Sequence, residues 1–265
     1  MNGILRDTLA ELIDRKILYV FLGVTAIAVI VVAATSSVDL RVQVTGPRDL
    51  SGDSPSFFAE SAVVKLFGGF LSLLIFLAAM ASASLVPNTM ERGRADFYLT
   101  KPLSRGSFLL RKYCAIWLTY GGIVLACGLI VYLLATLLHG AADFRIAYLF
   151  GVSLINLSIW FSVIVAAGVL TRSTPMAIMT AFIVWVAQTI LTGHEAIGEF
   201  VGSVAWKYVI DGLYYILPKP SALFDQASGL CVGQPITDWV PLFSSVLFAM
   251  AILFFAAVVL KRKEF

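Results

Sequence analysis

Two histidines, His139 and His194, and three cysteines, Cys114, Cys127 and Cys231, are the side chains here with the most obvious chemistry. A metal site needs several such ligands converging on one point, and a nucleophile needs a base within hydrogen-bond reach. Neither spacing occurs: no cysteines form a CxxC pair, and neither histidine has a carboxylate or cysteine at ligand spacing. Cys114 and Cys127 fall inside an apolar run, where a thiol packs as a small hydrophobe, while Cys231 stands alone in a loop as a free thiol. No Gly-rich Lys-Ser/Thr loop for ATP is present, and no acid or base within the apolar runs marks an ion relay. Catalytic, cofactor-binding and metal-ligating residues are all expected to be absent. What remains is a set of neutral polar groups in apolar surroundings: Ser72, Ser82, Ser84, Thr119, Tyr120, Ser153, Asn156, Ser158, Ser162, Thr180 and Gln188. Such groups hold helices together or line a polar route, and Asn156 and Gln188 are the strongest of them.

These residues sit on six stretches free of Asp, Glu, Lys and Arg: Ile17–Thr35, Leu66–Val86, Cys114–Leu138, Ile146–Leu170, Pro175–Leu191 and Trp239–Leu260, each 17 to 25 residues long. At about 1.5 Å of rise per residue, a helix of that length crosses a hydrocarbon core of roughly 30 Å, the shortest only just. Backbone amides in lipid must be satisfied internally, so the stretches are helices rather than open strands. With 60% hydrophobic and 13% charged residues the chain is not a soluble domain. Its net charge of +3 is not gathered on a soluble face, so nucleic acid is not an expected partner. The expected fold is one all-α integral membrane domain over 1–265, with spans at about 17–35, 66–86, 114–138, 146–170, 175–191 and 239–260.

Charge sets the orientation. Segments 1–16, 87–113, 172–174 and 261–265 hold 13 cations and 6 acids, whereas the opposite loops hold 6 cations and 10 acids. That bias places both termini in the cytoplasm, and an even number of spans demands the same. The three acids ahead of the first span are unlike the basic leader of a signal peptide, so this span is expected to be retained. Within 1–16, Ile4, Leu5, Thr8, Leu9, Leu12 and Ile13 recur at helical spacing opposite Arg6, Asp7, Glu11, Asp14 and Arg15. This predicts an amphipathic helix lying in the interface, with packing on a soluble partner as the alternative.

The loops carry the rest of the information. In Ser36–Lys65, alternation of Val38, Leu40, Val42 and Val44 with polar residues predicts a short strand. Leu50-Ser51-Gly52-Asp53 faintly echoes an ATPase signature, but it lies on the outer side and lacks the rest of that motif. In Pro87–Tyr113, Pro87 closes the second span, Asn88 or Thr89 caps a short helix running toward Leu99, and Thr100-Lys101-Pro102 breaks it. A basic loop of this kind also suits lipid headgroups. In Thr192–Asp238, the apolar gain of Phe200–Leu217 is met by the cost of Lys207 and Asp211, which predicts a helix at the outer interface rather than a seventh span, ended by Pro218 and Pro220.

Glu91-Arg92-Gly93, Leu99, Lys101-Pro102-Leu103-Ser104-Arg105 and Phe108-Leu109-Leu110-Arg111-Lys112 follow the second span in that order. With Tyr215-Ile216-Leu217-Pro218-Lys219-Pro220, Phe224-Asp225 and the Lys261–Phe265 tail, this series resembles a bacterial ABC transporter permease of the type 2, exporter-like class. The likeness extends over essentially the whole chain; Lys219 departs from the Asn common in that class. The resemblance implies an elbow helix at 1–16 and a coupling helix between spans two and three. Asn88, Thr89, Glu91, Arg92, Gly93, Arg94, Phe97, Tyr98 and Leu99 would then dock on a separate ATP-binding ABC subunit, which holds ATP and Mg. It further implies a second permease copy, as homodimer or related heterodimer, a pathway near spans two and five, and residence in the bacterial inner membrane. The chain itself is then no enzyme. The rival reading is a non-transporting membrane scaffold or assembly factor acting through its external loops.

Overall fold

The computed structural model describes residues 8, 10–13, 16–37, 61–89, 105–139, 143–191, 212–236 and 238–262, and every element among them is helical. In order they are α1 (Ile17–Ser37), α2 (Ser61–Ser82), α3 (Leu85–Thr89), α4 (Arg105–His139), a 3₁₀ turn (Phe144–Ile146), α5 (Ala147–Thr171), α6 (Thr174–Leu191), α7 (Pro220–Cys231) and α8 (Val240–Arg262). Among the described residues five helical stretches are long and apolar enough to cross a membrane: Val63–Asn88, Gly106–Leu138, Phe144–Thr171, Thr174–Leu191 and Val240–Arg262. A shorter apolar run, Ile17–Ala33, lies in α1. The described residues are all helical, and these apolar helices mark a multi-pass membrane protein.

α5 is the axis of the bundle. It is apolar on every side, as a helix must be when it is surrounded by others, and it packs against α2, α3, α4, α6, α7 and α8. Leu149, Leu157, Phe161, Val165 and Val169 on it are fully enclosed. Tyr120 of α4 lies edge-on to Phe161 at 5.8 Å and tilted against Phe21 of α1 at 6.4 Å, which ties three helices at one level. Asp143 Oδ1 accepts from the Arg145 N–H (2.9 Å) at the start of the 3₁₀ turn. Arg172 ends α5 in the left-handed region at φ 52°, its N–H donating to Gly168 O (2.9 Å), and α6 begins two residues later running the opposite way.

Several boundaries differ from those expected. The third predicted span begins at Cys114, but α4 already begins at Arg105 and runs 35 residues, about 52 Å, so its first turns project beyond a hydrocarbon core. The supposed external loop ends not at Lys65 but before Ser61, because an exposed lysine interrupts hydropathy without interrupting helical hydrogen bonding. The second span breaks at Ala83-Ser84 and resumes as α3. The Asn88 N–H donates to Ser84 O (3.1 Å) inside this last turn, and the short helix expected after it, toward Leu99, lies outside the described residues. Pro220 ends no helix. It opens α7, at the first helical turn where its missing N–H costs nothing, and Leu223, Ala227 and Cys231 of that helix are buried. The predicted strand at 38–44 and the interfacial helix around Lys207 and Asp211 lie outside the described residues, apart from a helical turn at 212–216.

The basic segments gather at one end of the bundle. Lys112 Nζ donates to Thr8 Oγ1 (3.4 Å), Asn88 Nδ2 donates to Glu11 Oε1 (3.4 Å), and Gly106 lies against the Lys261 side chain. Pro87 of α3 abuts Gly168 at the end of α5, next to Arg172. Thr8 and Leu12 are buried there whereas Ile13 is exposed, so the described part of the N-terminal segment presents one face to the helices. The opposite end carries Lys65, Asp143, Arg145, Lys219, Asp225 and Asp238, in which acids match cations.

Candidate functional site: a cavity between α2, α5, α6 and α7

The polar residues of the spans separate into two groups. Ser153, Ser162, Ser82 and Thr180 donate back to their own helices, to Leu149 O, Ile159 O, Ala79 O and Met176 O at 2.7–2.9 Å. Ser158 is paired with the Tyr113 hydroxyl at 2.6 Å. Groups satisfied within the bundle have nothing to offer a solute. Thr119 Oγ1 is buried without a partner away from the cavity, and Asn156 and Gln188 carry unpartnered oxygens beside it. Asn156 Nδ2 donates to Pro220 O (3.3 Å), but its Oδ1 has no partner, and neither has Gln188 Oε1. Asn156 is 1% exposed and Gln188 9%. An unpaired acceptor at such depth costs about 1–3 kcal/mol.

Both residues border one cavity of about 660 Å³. α2 and α5 run parallel, since Gly68 faces Leu149 near their beginnings and Pro87 faces Gly168 near the far ends; α6 returns antiparallel. Along α2 the cavity extends from Lys65 to Met80, about 22 Å of helix. Gln188, Asp225 and Ser228 belong to the Lys65 end, and Ile178 and Ala79 to the Met80 end. Phe76, Trp160, Phe182, Trp185 and Phe224 supply aromatic wall. Gly68 and Gly69 of α2 lie along it, and at Gly69 a side chain would meet nothing within 4 Å. The cavity is therefore an apolar, aromatic slot with two amide acceptors just beneath its surface. Its charges, Lys65 and Asp225, are both exposed at one end.

α7, too polar to stand out by hydropathy, closes this slot. Its place is fixed through Lys219, whose N–H donates to Ser245 Oγ (2.9 Å) and whose Nζ donates to Ser244 Oγ (3.2 Å) on α8. The ammonium also lies 4.2 Å from the Tyr214 ring centroid. Burial pushes this lysine down from its ordinary 10.5, with Asp238 opposing the shift. At the other end of α7, Cys231 is buried and its thiol donates to Arg145 O (3.2 Å). Burial, reinforced by the charge of Asp143, raises it from 9.0 to about 11. Cys231 is thus free of a disulfide, as the sequence suggests, but it is a buried packing group and not an open loop thiol.

Of the residues expected to dock a partner, Asn88 is half-buried and engaged with Glu11, and Thr89 closes α3. Glu91, Arg92, Gly93, Arg94, Phe97, Tyr98 and Leu99 lie outside the described residues. Among the described residues no cluster of His, Cys, Asp and Glu could hold a metal ion. Sequence reasoning singles out Asn156 and Gln188 but misses their aromatic surroundings and α7. The adjacent Gly68-Gly69 pair on an otherwise bulky helix is the signal that could have pointed to them. No protein-family model and no curated protein matches this chain.

Proposed function

We propose that the chain is the membrane-spanning permease subunit of an ATP-driven ABC transporter of the exporter-like class. The observation that carries this reading is the cavity between α2, α5, α6 and α7, an apolar chamber bordered by two buried amides whose oxygens have no partner within the protein. Residues on α2 and α6, the second and fifth predicted spans, form two of its walls, in line with the pathway that the resemblance implies. In this reading α1 is a sixth span, residues 1–16 form the elbow helix, and the basic end of the bundle faces the cytoplasm of a bacterium. ATP and Mg belong to a separate ATPase chain. A second permease copy covers the exposed apolar faces. Asn88–Leu99 is the docking element, flanked by the two ends that Glu11 and Thr8 hold through Asn88 and Lys112.

Coupling then proceeds by rigid bodies. ATP draws the ATPase pair together, the docked loop is displaced, and α3 and α4 pass that motion to α5 and the cavity wall. The test uses Glu91→Ala and Phe97→Ala in the full chain, produced together with its ATPase. Neither change alters the cation count, so lipid attraction is preserved. Docking predicts normal membrane insertion with association weakened about thirtyfold for Phe97→Ala, the size of an aromatic anchor's loss. Full association and full stimulation of ATP hydrolysis in both variants would remove the coupling assignment and favour a scaffold.

A further inference from the structure

We infer that the cavity takes a neutral amphipathic small molecule, its hydrocarbon body lying along Trp160 and Phe76 and its hydroxyl or amide N–H donating to Asn156. This rests on reading the cavity as a site that is occupied in function, and it adds the class of occupant. Size admits such a molecule: about 660 Å³ falls within the roughly 300–1,000 Å³ of sites that enclose drug-sized ligands. Polarity fixes which end does what. Asn156 Nδ2 is committed to Pro220 O, a group that can only accept, so the amide cannot turn over and its oxygen is the atom left without a partner. An acceptor calls for a donor. Gln188 Oε1 offers a second acceptor from the facing helix α6.

Charge on the ligand is disfavoured. The cavity's ionisable residues, Lys65 and Asp225, are exposed at one end, and the buried Lys219, next to Pro220, turns its Nζ to Ser244 Oγ and the Tyr214 ring and is not part of the cavity lining. Asn156 Oδ1 is itself shielded, so a donor reaches it only when the side chains of the wall rotate.

The test needs neither ATP nor the ATPase. The purified full chain in phosphatidylcholine nanodiscs is titrated with radiolabelled farnesol and with farnesyl methyl ether, the same body with an oxygen that cannot donate, each corrected for uptake by empty discs. Expected is about fivefold to tenfold tighter binding of the alcohol, the net worth of one hydrogen bond. In Asn156→Leu the preference falls below about twofold, and Gly69→Phe, which projects into open space on the cavity wall, weakens both ligands. Equal affinity for alcohol and ether in the wild type overturns the inference without any variant having to fold. So does binding that ignores Gly69→Phe. Displacement of farnesol by dioleoylglycerol would identify a bilayer lipid as the natural source, and its absence a free solute, with the same chemistry in either case. Failure here leaves the docking test untouched, and loss of docking leaves this binding standing.

Discussion

Gly128 and Gly122 stand six residues apart on α4 and offer a matched measurement of how closely the bundle is packed. A Cβ at Gly122 meets nothing within 4 Å. A Cβ at Gly128 would lie 2.7 Å from Phe150 Cε1 and 2.9 Å from Leu71 Cδ2, closer than carbon atoms tolerate. Neither neighbour has an easy retreat, since Leu71 is 0% exposed and Phe150 stands edge-on to Phe67 at 5.8 Å. Alanine should return up to about 1 kcal/mol of helix propensity at either position. Overpacking of an enclosed site costs about 1–3 kcal/mol, and only Gly128→Ala incurs it. Whatever the propensity gain is worth in a micelle, it cancels in the difference between the two variants. Gly128→Ala should therefore be less stable than Gly122→Ala by about 1–3 kcal/mol, a separation of several degrees in thermal unfolding at one scan rate. Leu71→Ala removes the interfering methyl, so its combination with Gly128→Ala should be less damaging than the sum of the two single changes. Equal melting of the two alanine variants would mean that α2, α4 and α5 do not meet at this level.

Two further outcomes follow from the loop between α6 and α8. Cys231, raised to about 11, should carry about a hundredfold less thiolate at neutral pH than an ordinary cysteine, so an impermeant maleimide should leave it largely unmodified in the native protein and label it after unfolding; fast native labelling would show that α7 is not seated as described. The folded chain binds the Lys219 proton less tightly than the unfolded chain, so this residue's contribution should rise as pH climbs toward 10.5, against the loss that the raised Cys231 brings above 9.0, and Lys219→Met should make stability fall more steeply there in pH-dependent melting; an unchanged slope would exclude Lys219 as a contributor.

How far each part of the chain is legible in its sequence depends on the physical signal that part carries. Freedom from charge is local, so α5, α6 and α8 begin and end within two residues of the runs Ile146–Leu170, Pro175–Leu191 and Trp239–Leu260. The same signal misjudges α2 and α4 at their starts, because Lys65 and the residues from Arg105 to Lys112 interrupt hydropathy without interrupting helical hydrogen bonding. α7 is hidden for another reason. Its 12 residues include Ser221, Asp225, Gln226 and Ser228, which dilute its hydropathy, and Pro218 and Pro220 read as terminators although proline equally opens helices.

The cavity is legible only through its exceptions. Apolar residues in a span say nothing about whether they face lipid, a neighbouring helix or a void. A large amide, by contrast, must be answered somewhere, and that makes Asn156 and Gln188 informative from their residue type and position alone. What sequence spacing does not supply is the partner of each: Pro220 lies 64 residues from Asn156 and approaches it only because Lys219 anchors the chain to Ser244 and Ser245. The same pair, Lys219-Pro220, thus both meets Asn156 and seats the helix that walls the cavity. Lys219 and Pro220 thereby join Ser244 and Ser245 of α8 to Asn156 of α5, so a change at either serine should be felt at Asn156 although the two lie on different helices.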